Sequence, residues 1–310
     1  MSTNKLKIAL ILGGISNERE ISLKTGKQIE ENLDLSKYEV NIYDTKTQLK
    51  ELFDDCLDNK IDLCFLALHG KGGEDGTIQG MLDLLNVPYT GSSTMSSAVT
   101  MDKAMSKQAL RSLKIPLAKE LVFKKGEWNS ELVEKEIGFP CVIKPNISGS
   151  SVGITIANSK EEFMTGMVEA LKHDNKVLVE EYIDGLEITV PILNNRALPI
   201  IEICPKNKFF DYEAKYISSK CDEIVPARIT PEQTELAQRM ALDIHQTLNC
   251  SGLTRVDFIL KSNMPYFLEI NTLPGMTKNS LCPKSADADG ITFSELLDEI
   301  ITSALNDWRQ

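Results

Sequence analysis

A chain of 310 residues with 42% hydrophobic and 25% charged side chains carries enough apolar material for a sizeable core and a length suited to two or three domains. Its formal net charge of -11 opposes long-range attraction to nucleic acid or to an anionic membrane, while leaving room for a local basic cleft that takes phosphates. No stretch approaches the roughly 18 apolar residues of a membrane span, and residues 1–7 run straight into a strand pattern, so a cytoplasmic protein bound to neither membrane nor nucleic acid is expected.

The first third of the chain alternates strand and helix signals: residues 8–12 are apolar, 20–33 are amphipathic at helical spacing, 38–43 are extended, and 63–68 are apolar again. That order predicts an α/β layer with a parallel sheet. A helical stretch over residues 102–113, closed by Ile115-Pro116, marks a boundary into a second unit. There residues 141–144, 153–156 and 177–182 read as strands and 161–171 as a helix. Strands over 188–193 and 199–203, a helix over 231–248, a β-pair and a final amphipathic helix over 293–305 complete the pattern. The expected domains are 1–102, 103–187 and 188–310. Seven scattered cysteines (Cys56, Cys64, Cys141, Cys204, Cys221, Cys250, Cys282) include no C-x-x-C pair and read as reduced, mostly buried thiols.

The β-pair carries the clearest chemistry. Side chains alternate faces along a strand, so Arg255 and Asp257 share one face while Val256, Phe258 and Leu260 take the other. On the partner strand Glu269 and Asn271 repeat the polar pattern, Tyr266, Leu268 and Ile270 are expected on the apolar face, and the connection with Asn263 and Pro265 suits a hairpin. Two acids, an amide and an arginine then converge. Oxygen ligands of this kind suit magnesium, and the arginine suits a phosphoryl oxygen or an oxyanion. A solvated face with ordinary cross-strand ion pairs is the other reading. A Pro274-Gly275 turn follows, able to bring backbone N–H groups close to what the metal holds.

Residues 146–153 follow a strand that ends at Lys144-Pro145 and are rich in Ser and Gly, as a lid over a nucleotide would be, although such a stretch is more often a plain turn. Lys144 and Lys103 are sensible phosphate partners; taken singly, each reads as a surface charge. No GxxxxGK[ST] occurs, and residues 70–76 miss GxGxxG because Asp75 stands in place of the last glycine, so a P-loop or classical dinucleotide fold is disfavoured. Gly13-Gly14 and His69-Gly70 follow strands, at the sheet edge where α/β folds bind ligands. Glu18 follows the first pair, and Glu20 and Ser22 are placed to serve a helix start.

Assembled, these segments resemble the D-alanine:D-alanine ligase family of the ATP-grasp superfamily over essentially the whole chain. The stretch 12–22 resembles its N-terminal signature, which implies that Glu18 contacts the ammonium of a first D-alanine; 69–76 resembles the second, with His69 near that substrate. Lys103 and Lys144 match the two ATP-phosphate lysines, and 149–153 the glycine-rich lid, with Ser150 in the substrate network and Ser151 on ATP. Residues 180–183 resemble the adenine hinge, which places Glu180, Glu181 and Ile183 at the base, and Glu187 matches the ribose-binding acid. The segment 212–216 resembles the mobile loop, with Lys215 on phosphate and Tyr216 bonding Ser150; in the family a tyrosine here goes with an amine as second substrate rather than D-lactate. Arg255 and Gly275 match the oxyanion-binding pair, Asp257, Glu269 and Asn271 the metal ligands, and Ser280-Leu281 the holder of the second carboxylate.

The resemblance implies an α/β ATP-grasp fold with an N-terminal Rossmann-like parallel-sheet domain. It also implies ATP and two Mg2+ or Mn2+ ions, a monovalent cation as a further candidate, two D-alanines as substrates, a homodimer, and a place in peptidoglycan precursor synthesis. The sequence departs from the family at 146–148, often an Arg-Glu segment, and at Asn279, often histidine, so altered lid details are expected. A D-alanine:D-lactate ligase or another ATP-grasp carboxylate–amine ligase is the alternative, and a nucleotide-binding protein without turnover a more distant one.

Overall fold

The structure, a computed structural model, describes residues 5–147, 149, 152–205 and 221–308. Strand β1 (Leu6–Leu12) lies between β2 (Tyr38–Asp44) and β3 (Leu63–Leu66), and all three run parallel, as the strand and helix alternation requires. Ile8, Ala9, Leu10 and Ile11 are all buried, because a parallel sheet is covered on both faces. One cover is helix α1 (Arg19–Glu30), which turns Ile21, Thr25 and Ile29 inward at helical spacing. Helices α2 (Leu49–Leu57), α3 (Thr77–Leu85), α4 (Thr94–Met101) and α5 (Lys103–Leu110) complete this part, with a short 3-10 turn at Arg111–Leu113. Asp102 caps α5 by accepting the Met105 N–H at 2.9 Å.

A second sheet is antiparallel, in the order β4 (Glu120–Lys124), β7 (Lys176–Glu181), β5 (Cys141–Pro145), β6 (Thr155–Ala157). Helices α6 (Ser130–Glu136) and α7 (Lys160–Ala170) close its core around Phe123, Ile143, Phe163, Met167 and Val179. The third sheet runs β11 (Cys221–Ile224), β10 (Ile201–Pro205), β8 (Leu186–Leu193), β12 (Leu253–Lys261), β13 (Met264–Asn271), with β9 (Arg196–Ala197) beside β8. Helix α8 (Pro231–Thr247) packs on it and starts where a capping box between Thr230 and Gln233, with Pro231 at the first position, dictates.

Helices α9 (Leu281–Ala288) and α10 (Phe293–Trp308) carry the chain back to its beginning. Leu296, Leu297, Ile300 and Ile301 share one core with Ile8, Leu10 and Phe65, and the Trp308 ring meets Tyr89 edge-on at 5.8 Å. Leu273, just past β13, shares a core with Ile11, Leu66 and Leu68, which sets the end of β13 beside the C-terminal edge of the parallel sheet. No described helix is long and apolar enough to cross a membrane.

The hairpin corrects one expectation. Arg255 pairs with Asn271, Val256 with Ile270 and Asp257 with Glu269, so the four polar residues do share a stretch of sheet. The register then shifts, and Phe258 pairs with Phe267. Leu268 is the extra residue of a bulge, so the apolar phase beyond it belongs to Phe267, 1% exposed, and not to Tyr266 and Leu268, both half-buried. Phe267 and Phe258 meet edge-on, ring centroids 6.4 Å apart. Ser262 and Asn263, both at positive φ, form the two-residue turn.

Candidate active site

Short polar side chains at the C-terminal ends of β1 and β3 build one wall of a cleft. The Gly13 N–H donates to Ser22 Oγ at 2.8 Å, and that hydroxyl donates to the Ala67 carbonyl at 2.6 Å. Ser22 therefore ties two strand ends together and does not cap the helix start. Ser16 Oγ donates to the His69 carbonyl at 2.7 Å and accepts the Glu18 N–H at 3.2 Å. Arg19 grips Asp44 through two bonds of 2.8 and 2.5 Å and the Gly14 carbonyl at 3.0 Å. Held this way, the Glu18 carboxylate lies against two glycines: a Cβ on Gly70 would stand 2.6 Å from Glu18 Oε2, and one on Gly149 2.9 Å.

His69 is buried with Nε2 3.0 Å from Thr25 Oγ1. Burial pushes its pKa down to about 4, so its imidazole is neutral. Glu74 accepts the Gly70 N–H at 2.6 Å, and burial, helped by the charge of Glu18, pushes its carboxyl up to about 8. Glu74 falls within the stretch 69–76 without a role assigned from sequence; an acid four residues past Gly70 is the signal that points to it.

The opposite wall is the hairpin. Arg255 donates through Nε and Nη2 to both Asp257 oxygens at 2.9 Å, and Thr189 donates to Asp257 Oδ1 at 2.5 Å. Burial works against the Arg255 charge, but Asp257 more than offsets it and holds the guanidinium above its ordinary value. Lys103 Nζ stands 3.2 Å from Glu269. Asn271 Oδ1 accepts the Leu273 N–H at 3.0 Å and starts the turn to Gly275. Ser280 Oγ accepts the Thr277 N–H at 3.0 Å, and Leu281 is the first residue of α9.

Between the walls lies a cleft of about 460 Å³. Glu18, His69 and Gly149 line one side, Lys103, Arg255, Glu269 and Asn271 another, and Gly275, Ser280 and Leu281 the end, with Glu74 among them. Asp257 sits just behind, 6% exposed. Two carboxylates and an amide on adjacent strands offer hard oxygen donors, a set that fits magnesium or manganese drawing its remaining ligands from water and phosphate. Among the described residues no group of three or more His, Cys, Asp or Glu could hold a metal unaided.

Lys144, Glu180, Glu181, Ile183 and Glu187 do not line this cleft. Lys144 is 2.5 Å from Glu180, and burial, with Lys107 nearby, pushes its pKa down to about 7. Glu181 donates its N–H to the Lys119 carbonyl at 3.0 Å, while the Lys119 N–H goes to the Glu181 carboxylate at 2.9 Å and not to its backbone oxygen. Ile183 and Glu187 are half-buried where β7 passes into β8. Ser150, Ser151, Lys215 and Tyr216 lie outside the described residues.

Known families match this arrangement twice. The D-ala D-ala ligase C-terminus family covers residues 109–302, and the D-ala D-ala ligase N-terminus family covers residues 43–92. A D-alanine--D-alanine ligase from Clostridium beijerinckii is 45% identical, the alignment covering 97% of this chain and 99% of that protein. One from Halalkalibacterium halodurans is 42% identical over 97% and 99%. A crystal structure of D-alanine--D-alanine ligase from Bacillus anthracis complexed with ATP superposes with a TM-score of 0.88 at 38% identity, over 98% of this chain and 99% of that one.

Proposed function

The chain belongs to the D-ala D-ala ligase family, and we propose that it uses ATP to join two molecules of D-alanine into a dipeptide. The observation that carries this reading is the cleft itself. A carboxylate seated for an ammonium, a neutral imidazole, a lysine and an arginine–carboxylate hairpin face one cleft.

In this reading Glu18, seated between Gly70 and Gly149, takes the ammonium of the first D-alanine, and His69 lies beside it without adding charge. Lys103 and Lys144, with Lys215 and Ser151, hold the phosphates of ATP. The base meets Glu180 and the backbone of Glu181 and Ile183, and the ribose meets Glu187. The diversion of the Lys119 N–H to the Glu181 carboxylate supports this, because it spares the Glu181 carbonyl for the base. Nucleotide phosphate beside Lys144 favours its charged form.

The first carboxylate attacks the terminal phosphorus, ADP leaves, and an acyl phosphate results. The second D-alanine, its carboxylate held by Ser280 and Leu281, attacks the acyl carbon through its amine. Negative charge on the tetrahedral carbon's oxygen then faces Arg255 and the N–H of Gly275; as the carbonyl re-forms, phosphate departs and the nitrogen gives up its extra proton, leaving the peptide bond. A preorganised donor of this kind is worth about 10²–10³ in kcat. Asp257, Glu269 and Asn271 would hold two Mg2+ or Mn2+ ions, which offset phosphate charge when bound. Ser150 and Tyr216 complete the network with Glu18, and Tyr216 favours an amine over D-lactate as second substrate. A cytoplasmic homodimer, assisted by a monovalent cation and supplying peptidoglycan precursors, belongs to the same reading.

The test is to incubate the protein with ATP, magnesium and either D-alanine, L-alanine or D-alanine plus D-lactate. Dipeptide and phosphate from D-alanine, with D-lactate excluded, are expected. Product from L-alanine alone contradicts the substrate.

A further inference from the structure

Lys107 lies one helical turn beyond Lys103 on the buried face of α5, and it is 1% exposed. A lysine that deep is stable as a cation only if it is paired. Its Nζ stands 3.6 Å from Glu120 on β4 and contacts Glu180 on β7. Those two glutamates are direct cross-strand partners, a placement that sets like charges against each other. Lys107 is the cation between them. The second oxygen of Glu180 pairs with Lys144 at 2.5 Å, and the second oxygen of Glu120 with Arg111 at 3.0 Å. The row runs Arg111, Glu120, Lys107, Glu180, Lys144, from the surface to the phosphate lysine.

We propose that Lys107 is a positioning residue for nucleobase selection, keeping Glu180 ionised and therefore a pure hydrogen-bond acceptor. This rests on the reading in which Glu180 meets the base. An ionised carboxylate accepts from the exocyclic amine of adenine and has nothing to donate to the ring carbonyl of a hypoxanthine. When Lys144 turns from Glu180 to a nucleotide phosphate, Lys107 remains as the counter-charge. Among the described residues the charged groups facing Glu180 are Lys107, Lys144 and Glu120, with Lys103 and Arg111 beyond them. Without Lys107, a carboxyl buried opposite Glu120 takes up a proton. It then donates to a carbonyl as readily as it accepts from an amine, and the preference is lost.

The experiment compares ATP with inosine triphosphate as phosphoryl donor for the whole enzyme, as wild type, Glu180→Gln, Lys107→Met, Lys107→Arg and the charge-balanced Lys107→Met/Glu120→Gln. The wild type is expected to prefer ATP in kcat/KM. Glu180→Gln, Lys107→Met and the double variant are expected to lose about tenfold or more of that ratio, roughly the worth of one charged hydrogen bond, with KM for D-alanine little changed and Lys107→Arg restoring part of the ratio. Lowered use of both nucleotides at an unchanged ratio would make Lys107 merely structural and overturn the proposal. The ratio also separates the two claims. If Glu180→Gln loses it and the Lys107 variants keep it, the role of Lys107 falls; if Glu180→Gln keeps it, the reading of Glu180 at the base falls and takes the proposal with it.

Discussion

The wall that carries Glu18, His69 and Glu74 and the wall that carries Arg255, Asp257 and Glu269 reach one cleft by different means. The first is loop, held by hydroxyls, by the Arg19–Asp44 pair and by glycines that let the Glu18 carboxylate come within a distance no Cβ would allow. The second is strand, and its polar face follows from alternation, with a bulge at Leu268 resetting the phase. A strand wall is rigid and legible; a loop wall depends on bonds between residues far apart in the chain.

The bulge gives the largest expected effect. Phe267→Ala, emptying a fully buried ring site, should cost about 3–5 kcal/mol, whereas Leu268→Ala at the half-buried bulge should cost roughly 1 kcal/mol. Denaturant midpoints of the two variants decide it, and the reverse order would mean that simple alternation holds throughout.

That bulge also marks what was readable from sequence. Alternation at Arg255, Asp257, Glu269 and Asn271 placed four polar residues together because strand geometry is local. The phase beyond Leu268 depends on pairing with β12 and left no local sign. Helices α2, α3, α4, α6 and α9 are not announced by the sequence. Each is short, and α4 (Thr94–Met101) is rich in Ser and Thr, which favour caps over helix interiors; tertiary bonds such as Ser96 Oγ to the Asn249 carbonyl at 2.6 Å hold it. Lys103 and Lys144 read as surface charges when taken singly, yet both are largely buried, because their partners Glu269 and Glu180 come from other elements. Asn146, noted as a departure, accepts the N–H groups of Lys103 at 3.3 Å and Ala104 at 3.1 Å and so braces the start of α5. The glycine positions were legible; the Glu18 carboxylate between them was not.

The strand wall is tested chemically by Arg255→Ala, which should lower kcat about 10²–10³-fold. The variant should also melt lower, because the buried Asp257 loses a two-bond partner. Steady-state rates beside thermal melts separate the two effects, and near-normal turnover would remove Arg255 from the chemistry.

The loop wall is tested by pH. His69 has a folded pKa of about 4, below its ordinary value near 6.5, so the unfolded chain binds the extra proton first. Its contribution to stability is present above about pH 6.5 and is lost as pH falls toward 4, roughly 2 kcal/mol of it by about pH 5. His69→Gln should flatten that part of the urea midpoint profile; an unchanged slope would mean that His69 is charged in the fold.

The smallest expected effect is Gly149→Ala. A Cβ there would press to 2.9 Å from Glu18 Oε2, and the displaced carboxylate should raise KM for the first D-alanine about tenfold with kcat less affected. An unchanged KM would detach Gly149 from the Glu18 seat.

The fate of the oxygen in the first carboxylate tests the acyl-phosphate route most directly. With D-alanine labelled by heavy oxygen in its carboxyl group, attack on the terminal phosphate of ATP predicts that one labelled oxygen leaves in inorganic phosphate for each dipeptide formed. Dipeptide formed with unlabelled phosphate, or with the label in AMP, would contradict it.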